Sequence, residues 1–584
     1  MIAGVVKHML VVVSIVASLD AAENLAYRNT ATGVAYVGAR TCAGCHPKIY
    51  QDYVRTAMGR SMDVASSQAQ LDNVPIATSI FSEKLNRYFE VFRRGSALFQ
   101  TEYELDEGGR EVFRTTHKLE YVIGSGVNGY GYILRRGNYL FQAPLSYYSR
   151  KKAWGLAPGY EGADYGFNRP IAAACIACHS GQPQAVRDRA GLFGEPTFRE
   201  MAIGCENCHG PGALHAAERS KRGSVPEGRD QSIVNPANLP ARLAEDICMN
   251  CHQGSETRVL QPGKDYFDFR PGTPLRATLA ILRVPLKRDA TSESDLLEHH
   301  SSMQLSKCYR ASGGRLSCLT CHQIHSMPRP ADAAAYYRGR CLTCHAISSC
   351  KSPKPSRIEQ ADDCAGCHMS KRGVEVLAHA VLTNHRIIAR PGQPLPEVAF
   401  AQGLPNLPDL VYFNGPPETS RASLPPIMLL QAYGELMGKH PEYQQRYLAV
   451  LEELSKDEKP QPLVEAALGR KLLQNDPASS TAAVDHLTRA IELGFNAPTA
   501  YEDLADALSR AGREAEAIDP LRRGIELSPY TPVLYKSLAL RYINLKRYEE
   551  ARRTLEQYVQ LFPEDDFVRG LLLQVGTTDA PGRR

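Results

Sequence analysis

The chain has 584 residues, 43% of them apolar and 22% charged, with 68 Lys and Arg against 63 Asp and Glu for a formal net charge of +5. That composition excludes a disordered or collagen-like chain and sets an expectation of roughly four domains. The positive balance alone would suggest acidic partners. In chain order, residues 1–21 read first as a signal peptide: Lys7 precedes the apolar run MLVVVSIVA, Met9 to Ala17, and small and polar residues follow. The run is well short of the ~20 residues that span a bilayer. No later segment is apolar enough to cross, so the mature chain is expected to be exported, to the periplasm or beyond, with no transmembrane span.

Residues 22–390 contain seven C-x-x-C-H motifs: Cys42/Cys45/His46, Cys175/Cys178/His179, Cys205/Cys208/His209, Cys248/Cys251/His252, Cys318/Cys321/His322, Cys341/Cys344/His345 and Cys364/Cys367/His368. Random placement of the 16 Cys and 17 His would give on the order of 0.01 such motifs, so the pattern reads as covalent attachment of seven c-type haems. Two thiols three positions apart can add to the two vinyl groups of one haem, and the adjacent histidine then lies under the iron. A mainly disulfide-built scaffold is thereby excluded. The motifs starting at Cys318, Cys341 and Cys364 follow at 23-residue intervals, which makes their haems near neighbours and this segment a wire. Each haem adds propionates, so seven contribute a charge of roughly −7 to −14. The loaded protein is therefore near neutral or acidic, and no nucleic-acid partner is expected.

Within this region, residues from about 81 to 150 alternate apolar and polar side chains with glycine breaks, as in RYFEVFRRGSALFQTEYEL, which predicts a small β-rich insertion. Residues 170–390 show little apolar periodicity, so haem faces rather than side-chain layers are expected to form most of the core there. The Pro-rich stretch 391–426 reads as a linker. From 427 to 580 the chain turns helical, and Tyr501, Leu504, Ala517, Leu521 and Pro529 recur 34 residues later as Tyr535, Leu538, Ala551, Leu555 and Pro563. Period and residue types resemble tetratricopeptide repeats, with an earlier unit visible through Ala483, Leu487 and Ile491. The predicted fold is thus a mostly α and irregular multihaem core with a β-rich insertion, followed by a helical repeat solenoid.

The sixth position on each iron separates a wire from an enzyme. Setting aside His8 in the signal and His440 and His486 in the helical tail, seven histidines outside the motifs remain: His117, His215, His299, His300, His325, His379 and His385. Met249 or Met303 could substitute and would raise a potential. Cys308 and Cys350 lie outside every motif, and in an exported chain a disulfide between them is expected, two free thiols being the alternative.

Residues 203–215, IGCENCHGPGALH, resemble the motif with a following distal histidine in the tetrahaem cytochrome c that accepts electrons from hydroxylamine oxidoreductase. The segments HKLEYVIGSG (117–126), SKCYRASGGRLSCLTCHQIH (306–325), DCAGCHMS (363–370) and AHAVLTNHR (378–386) carry the same likeness to that superfamily. The resemblance implies distal ligands at His215, His117, His325, His379 and His385 and at one of His299 and His300, without saying which serves which haem. No motif is the C-x-x-C-K of pentahaem nitrite reductases, and there is no eighth motif. An exported electron-transfer protein whose repeat domain docks redox partner proteins is therefore favoured over a multihaem oxidoreductase acting on a small nitrogen or sulfur compound at an open haem. A redox-sensing peptide-binding scaffold is the third reading.

Overall fold

The computed structural model describes residues 27–578 apart from 68–73, 77, 222–227, 254–256, 287, 289–298, 372–382, 401–409, 417–423 and 476–478. The signal segment and His379 therefore lie outside the described residues.

The β-rich region is a ten-stranded antiparallel sheet formed by β1 (Met62–Val64), β2 (Thr78–Ser82), β3 (Arg87–Arg94), β4 (Ala97–Leu105), β5 (Glu111–Ile123), β6 (Gly129–Arg136), β7 (Tyr139–Gln142), β8 (Leu145–Tyr148), β9 (Ala153–Leu156) and β10 (Arg169–Pro170). The alternation in the sequence places Phe89 and Val91 of β3 and Leu98 of β4 in its core. The sheet is wider than the span 81–150, because its marginal strands β1 and β10 are too short to show a period of two.

On either side of the sheet in the chain, the motifs sit on or at the ends of short helices: Ala39–Cys45 before it, and Ala173–His179, Glu206–His209, Ala241–His252, Cys318–Cys321, Ala333–Leu342 and Cys364–His368 after it. Two small antiparallel sheets brace them, β11 (Gln182–Ala185) with β12 (Phe193–Glu200), and β13 (Thr257–Leu260), β14 (Leu279–Arg283) and β15 (Val411–Tyr412). Among the described residues from 306 to 398, no apolar side chain is buried, while Met327, Leu342, Ile347 and Ile358 are exposed. A stretch of this length without a side-chain core cannot offset its own conformational entropy. The expected linker is partly pinned: β15 extends the sheet at β14, and Leu410 and Leu424 are buried in the same apolar cluster.

The C-terminal stretch is helical. After Pro426–Leu436 and Gln444–Leu454, successive antiparallel neighbours are Pro462–Asn475, Ser480–Glu492, Pro498–Arg510, Ile518–Leu527, Pro532–Asn544, Tyr548–Leu561 and Asp566–Thr578. Tyr501, Leu504, Ala517 and Leu521 are buried, and so are their counterparts Tyr535, Leu538, Ala551 and Leu555. Pro462–Asn475 supplies the first helix of the earlier unit, where Gly469 lies so close to Leu487 that an added Cβ would stand 2.5 Å from its Cγ. This stretch is packed against the large sheet. The Tyr530 ring stands edge-on to Tyr139 and Phe141 at 5.1 and 4.7 Å, Asn168 donates to the Leu561 carbonyl at 2.9 Å, and Arg87 donates to the Glu564 carbonyl at 2.9 Å. Among the described residues no helix is long and apolar enough to cross a membrane.

Candidate functional site

One connected cavity of about 3330 Å³ runs through the motif region. A cavity for a single drug-sized ligand measures about 300–1,000 Å³, so this one has room for several large planar groups. All three residues of the motifs at Cys42, Cys175, Cys205, Cys248 and Cys318 line it, together with Cys341 and with Ala365 and Gly366 of the last motif.

The last two motifs line this cavity only in part. Cys344 and His345 of the sixth and Cys364, Cys367 and His368 of the seventh are not on the cavity wall. Cys344 and Cys367 are exposed thiols, and His345 is exposed beside them. The cause is local. Ala333–Leu342 ends before Cys344, whose Sγ meets only the neighbouring Thr343 hydroxyl at 3.9 Å. Cys364–His368 is a helix of five residues with nothing buried, and the Cys367 thiol donates to Gln360 Oε1 at 2.8 Å on its outer side. Spacing along the chain fixes the distance between two thiols of one motif, but not whether a neighbouring segment covers them.

The first and third motifs are joined by Glu206, which lies between Cys205 and Asn207 and is 1% exposed. Its carboxylate accepts from the backbone N–H of Val37 at 3.0 Å, Gly38 at 2.8 Å and Gly212 at 2.7 Å. Replacing Glu206 with alanine strands these donors and is expected to lower stability by about 3 kcal/mol, since one unpaired buried donor costs roughly 1–3 kcal/mol. The unfolding midpoint and amide exchange at Val37 and Gly38 measure this, and unchanged values would refute it.

Gly210, at φ +73°, turns the chain after His209, and the helix Ala213–Arg219 brings His215 to the imidazole of the first motif. The His46 and His215 ring centres are 6.4 Å apart with planes 15° from parallel. His209 and His325 stand 6.0 Å apart at 8°, and His322 and His385 stand 6.2 Å apart at 33°. Each pair joins one motif histidine to one non-motif histidine. Two metal–imidazole bonds of about 2.0–2.1 Å, plus about 1.2 Å from nitrogen to ring centre on each side, sum to roughly 6.4 Å. The spacing therefore suits a metal held between two rings. Two protein ligands leave a bare ion under-coordinated, but they complete an iron whose other four positions are taken by a macrocycle.

Second contacts fix which nitrogen each ring offers. The Nδ1–H of His209 donates to the Val234 carbonyl at 2.8 Å, that of His368 to Ile388 at 2.6 Å and that of His385 to Thr383 at 3.0 Å. His215 Nδ1 lies 3.1 Å from both the Asp230 carboxylate and the Ser232 hydroxyl. Each contact leaves Nε2 as the coordinating atom. Burial pushes His299 down to about 3 and His385 to about 4. Both stay neutral, the form a metal requires.

The adjacent pair His299 and His300 divides. His299 lies 5.2 Å from the His252 ring and 4.3 Å from that of His385, about 1 Å or more inside the span two metal bonds need. His300 is buried, and its Nε2 is 2.9 Å from Glu245 Oε2, so an acceptor already engages its outer nitrogen. His117 is not brought to the cavity. It stands on β5 with its ring 4.6 Å from Phe167, and burial with help from Arg136 lowers it to about 4. Met249 and Met303 are buried and line the cavity.

The expected bond between Cys308 and Cys350 is not formed in this structure. Cys308 acts electrostatically on Cys321 and Cys341, whereas Cys350 acts on Cys364, in a different motif. The motif thiols also report which motifs are neighbours. The Cys42 thiol lies beside that of Cys205, Cys178 beside Cys251 and Cys248 beside Cys318, and Cys341 lies near both Cys364 and Cys321. The first motif thus adjoins the third, the second adjoins the fourth, and the fourth leads through the fifth and sixth to the seventh.

No known protein family matches the chain, and no curated protein does. Solved structures similar to part of it are tetratricopeptide-repeat proteins. The first such domain of human RPAP3 is 20% identical over 20% of this chain and 90% of its own, with a TM-score of 0.19. MamA from Desulfovibrio magneticus is 18% identical over 26% and 84%, with a TM-score of 0.22. YrrB, described as having an unusual peptide-binding site, is 19% identical over 25% and 74%, with a TM-score of 0.21.

Proposed function

We propose that the chain is an exported heptahaem c-type cytochrome that carries electrons along closely spaced haems, related to the superfamily of tetrahaem cytochrome c and hydroxylamine oxidoreductase. The observation that carries this reading is the set of three imidazole pairs 6.0–6.4 Å apart across one cavity. The seven motifs and the stretch from 306 to 398 without a buried apolar side chain add support.

Cofactor iron in this setting supplies reversible one-electron exchange between ferric and ferrous states. The cysteine pairs anchor each group on a short helix. His46, His209 and His322 would each hold a haem iron from its own motif, and His215, His325 and His385 would supply the second protein ligand to the same three groups. Two protein ligands to such a group would favour electron transfer over substrate binding. The adjacency of motif thiols supports a run of haems from the second through the fourth, fifth and sixth to the seventh, with the first and third side by side. With Cys344 and Cys367 off the shared cavity wall, the sixth and seventh haems are read as the end of that order where electrons enter or leave. The repeat stretch, seated on the sheet, keeps its remaining helical surface for a redox partner protein, since repeat arrays bind through such surfaces.

The test is a haem count by mass together with spin-state spectroscopy. Seven covalent haems, with low-spin signals from the paired sites, are expected. His215→Ala, His325→Ala and His385→Ala should each convert one haem to high spin. A chain purified without covalent haem would refute the reading. A wild-type high-spin haem that nitrite, hydroxylamine or tetrathionate perturbs would favour the oxidoreductase instead.

A further inference from the structure

The cavity wall is built from the motif region and the sheet, with one exception. Among the described residues beyond Ile387, the only side chain that lines it is His440, from the helical stretch that sequence reasoning set aside. We propose that His440 is an axial ligand to one haem in this cavity, so that the C-terminal domain completes the haem array. The inference rests on the haem reading above.

The position of His440 is fixed by backbone rather than by a flexible loop. Its N–H donates to the Leu436 carbonyl at 2.9 Å, one turn past the end of the helix Pro426–Leu436, and its own carbonyl accepts from Tyr443 N–H at 3.0 Å. The imidazole meets the buried Tyr443 ring edge-on at 6.0 Å. Nδ1 faces the Glu442 carboxylate at 3.6 Å, beyond hydrogen-bond length. This is the polarity seen at His215, with an acidic group on the Nδ1 side and Nε2 left to coordinate. The ring is 32% exposed, against 58% for Glu442.

Packing locates the site near the second motif. Glu435, five residues before His440, accepts from the Thr257 hydroxyl on β13. The neighbouring Arg258 donates to the Asn250 carbonyl at 2.7 Å and reaches Cys178 Sγ at 3.7 Å. The helix Pro426–Leu436, which ends just before His440, is therefore seated on the strand that braces the motif Cys175 to His179.

The experiment uses the full-length holoprotein. With seven haems confirmed by mass, His440→Ala is expected to convert one haem from low to high spin, and added imidazole to restore it. His440→Met keeps six ligands and should shift one midpoint potential upward. This second variant decides the matter if the alanine form loads poorly. His486→Ala serves as control, because His486 does not line the cavity and its Nδ1 pairs with Glu465 at 2.7 Å, and its spectrum should match wild type. An all-low-spin His440→Ala protein with seven haems, or a His440→Met protein with unchanged potentials, overturns the ligand and leaves the haem reading standing. A wild-type chain without covalent haem overturns both.

Discussion

Replacing Arg87 with alanine is expected to lift the helical stretch from the sheet, at a cost of about 3–5 kcal/mol. The Arg87 side chain is 7% exposed and lies among four carboxylates: Glu104 at 3.2 Å, Asp164 at 3.3 Å, Asp566 at 3.3 Å and Glu102 at 3.9 Å. Glu102 and Glu104 come from β4, Asp164 from the loop before β10, and Asp566 from the last helix, so one guanidinium joins the sheet to the C-terminus. Both oxygens of Glu102 are buried without a hydrogen-bond partner, and Arg87 is the cation beside them. Removing it leaves the buried Glu102, together with Glu104, facing Asp164 with little water to screen them, which is why the cost exceeds that of a surface ion pair. Arg569, 3.1 Å from Glu104, holds only the outer part of the cluster. Lysine should rescue little, because it cannot bridge several acids with a planar fork. Amide exchange over residues 561–569 and the unfolding midpoint measure the effect. Wild-type protection in Arg87→Ala would show that the apolar seat of Tyr530 suffices alone.

The parts of the fold legible in the sequence are those set by neighbours along the chain. Motif spacing is local covalent chemistry, the alternation at Phe89 and Val91 is the pleat of one strand, and the 34-residue recurrence of Tyr501 at Tyr535 is one helix pair repeated. What stayed hidden was set by distant chain segments. His215 follows the motif of His209 but faces His46, because Gly210 turns the helix away from its own motif. Choosing between His299 and His300 depended on Glu245, more than fifty positions earlier. His117 matched a pattern by type, yet its strand pairs it with Gln100 in the sheet. Cys344 and Cys367 share their spacing with the thiols that line the cavity, yet among the described residues they stay exposed and off its wall. Arg87 and Glu102 occupy inward positions of an alternating strand, where charge is uncommon. Only the partner supplied from residues 564–566 accounts for them.

Raising the pH from 5 to 8 is expected to weaken the same clamp. Burial first, then Asp164 and Asp565, push the Glu564 carboxyl up to about 7, and burial pushes Glu102 well up in the same direction. A carboxyl raised on docking binds its proton more tightly in the docked form. Its contribution is therefore complete below the ordinary carboxyl range near 4.5 and is lost as pH rises to about 7. The loss is of order 3 kcal/mol for Glu564. Asp565 works in the opposite sense and in another window. Burial raises it, but Lys536 and Tyr558 outweigh that and hold it below its usual value, so its support fails only in stronger acid. The difference between wild type and Glu564→Gln isolates the proton, since glutamine mimics the protonated acid at every pH. Exchange over 561–569, corrected for intrinsic rates, should accelerate about 100-fold between pH 5 and 8 in wild type and stay nearly flat in the variant. Equal pH slopes in the two proteins would mean that Glu564 is already ionised when docked, with Arg87 and Arg569 holding the clamp through charge alone.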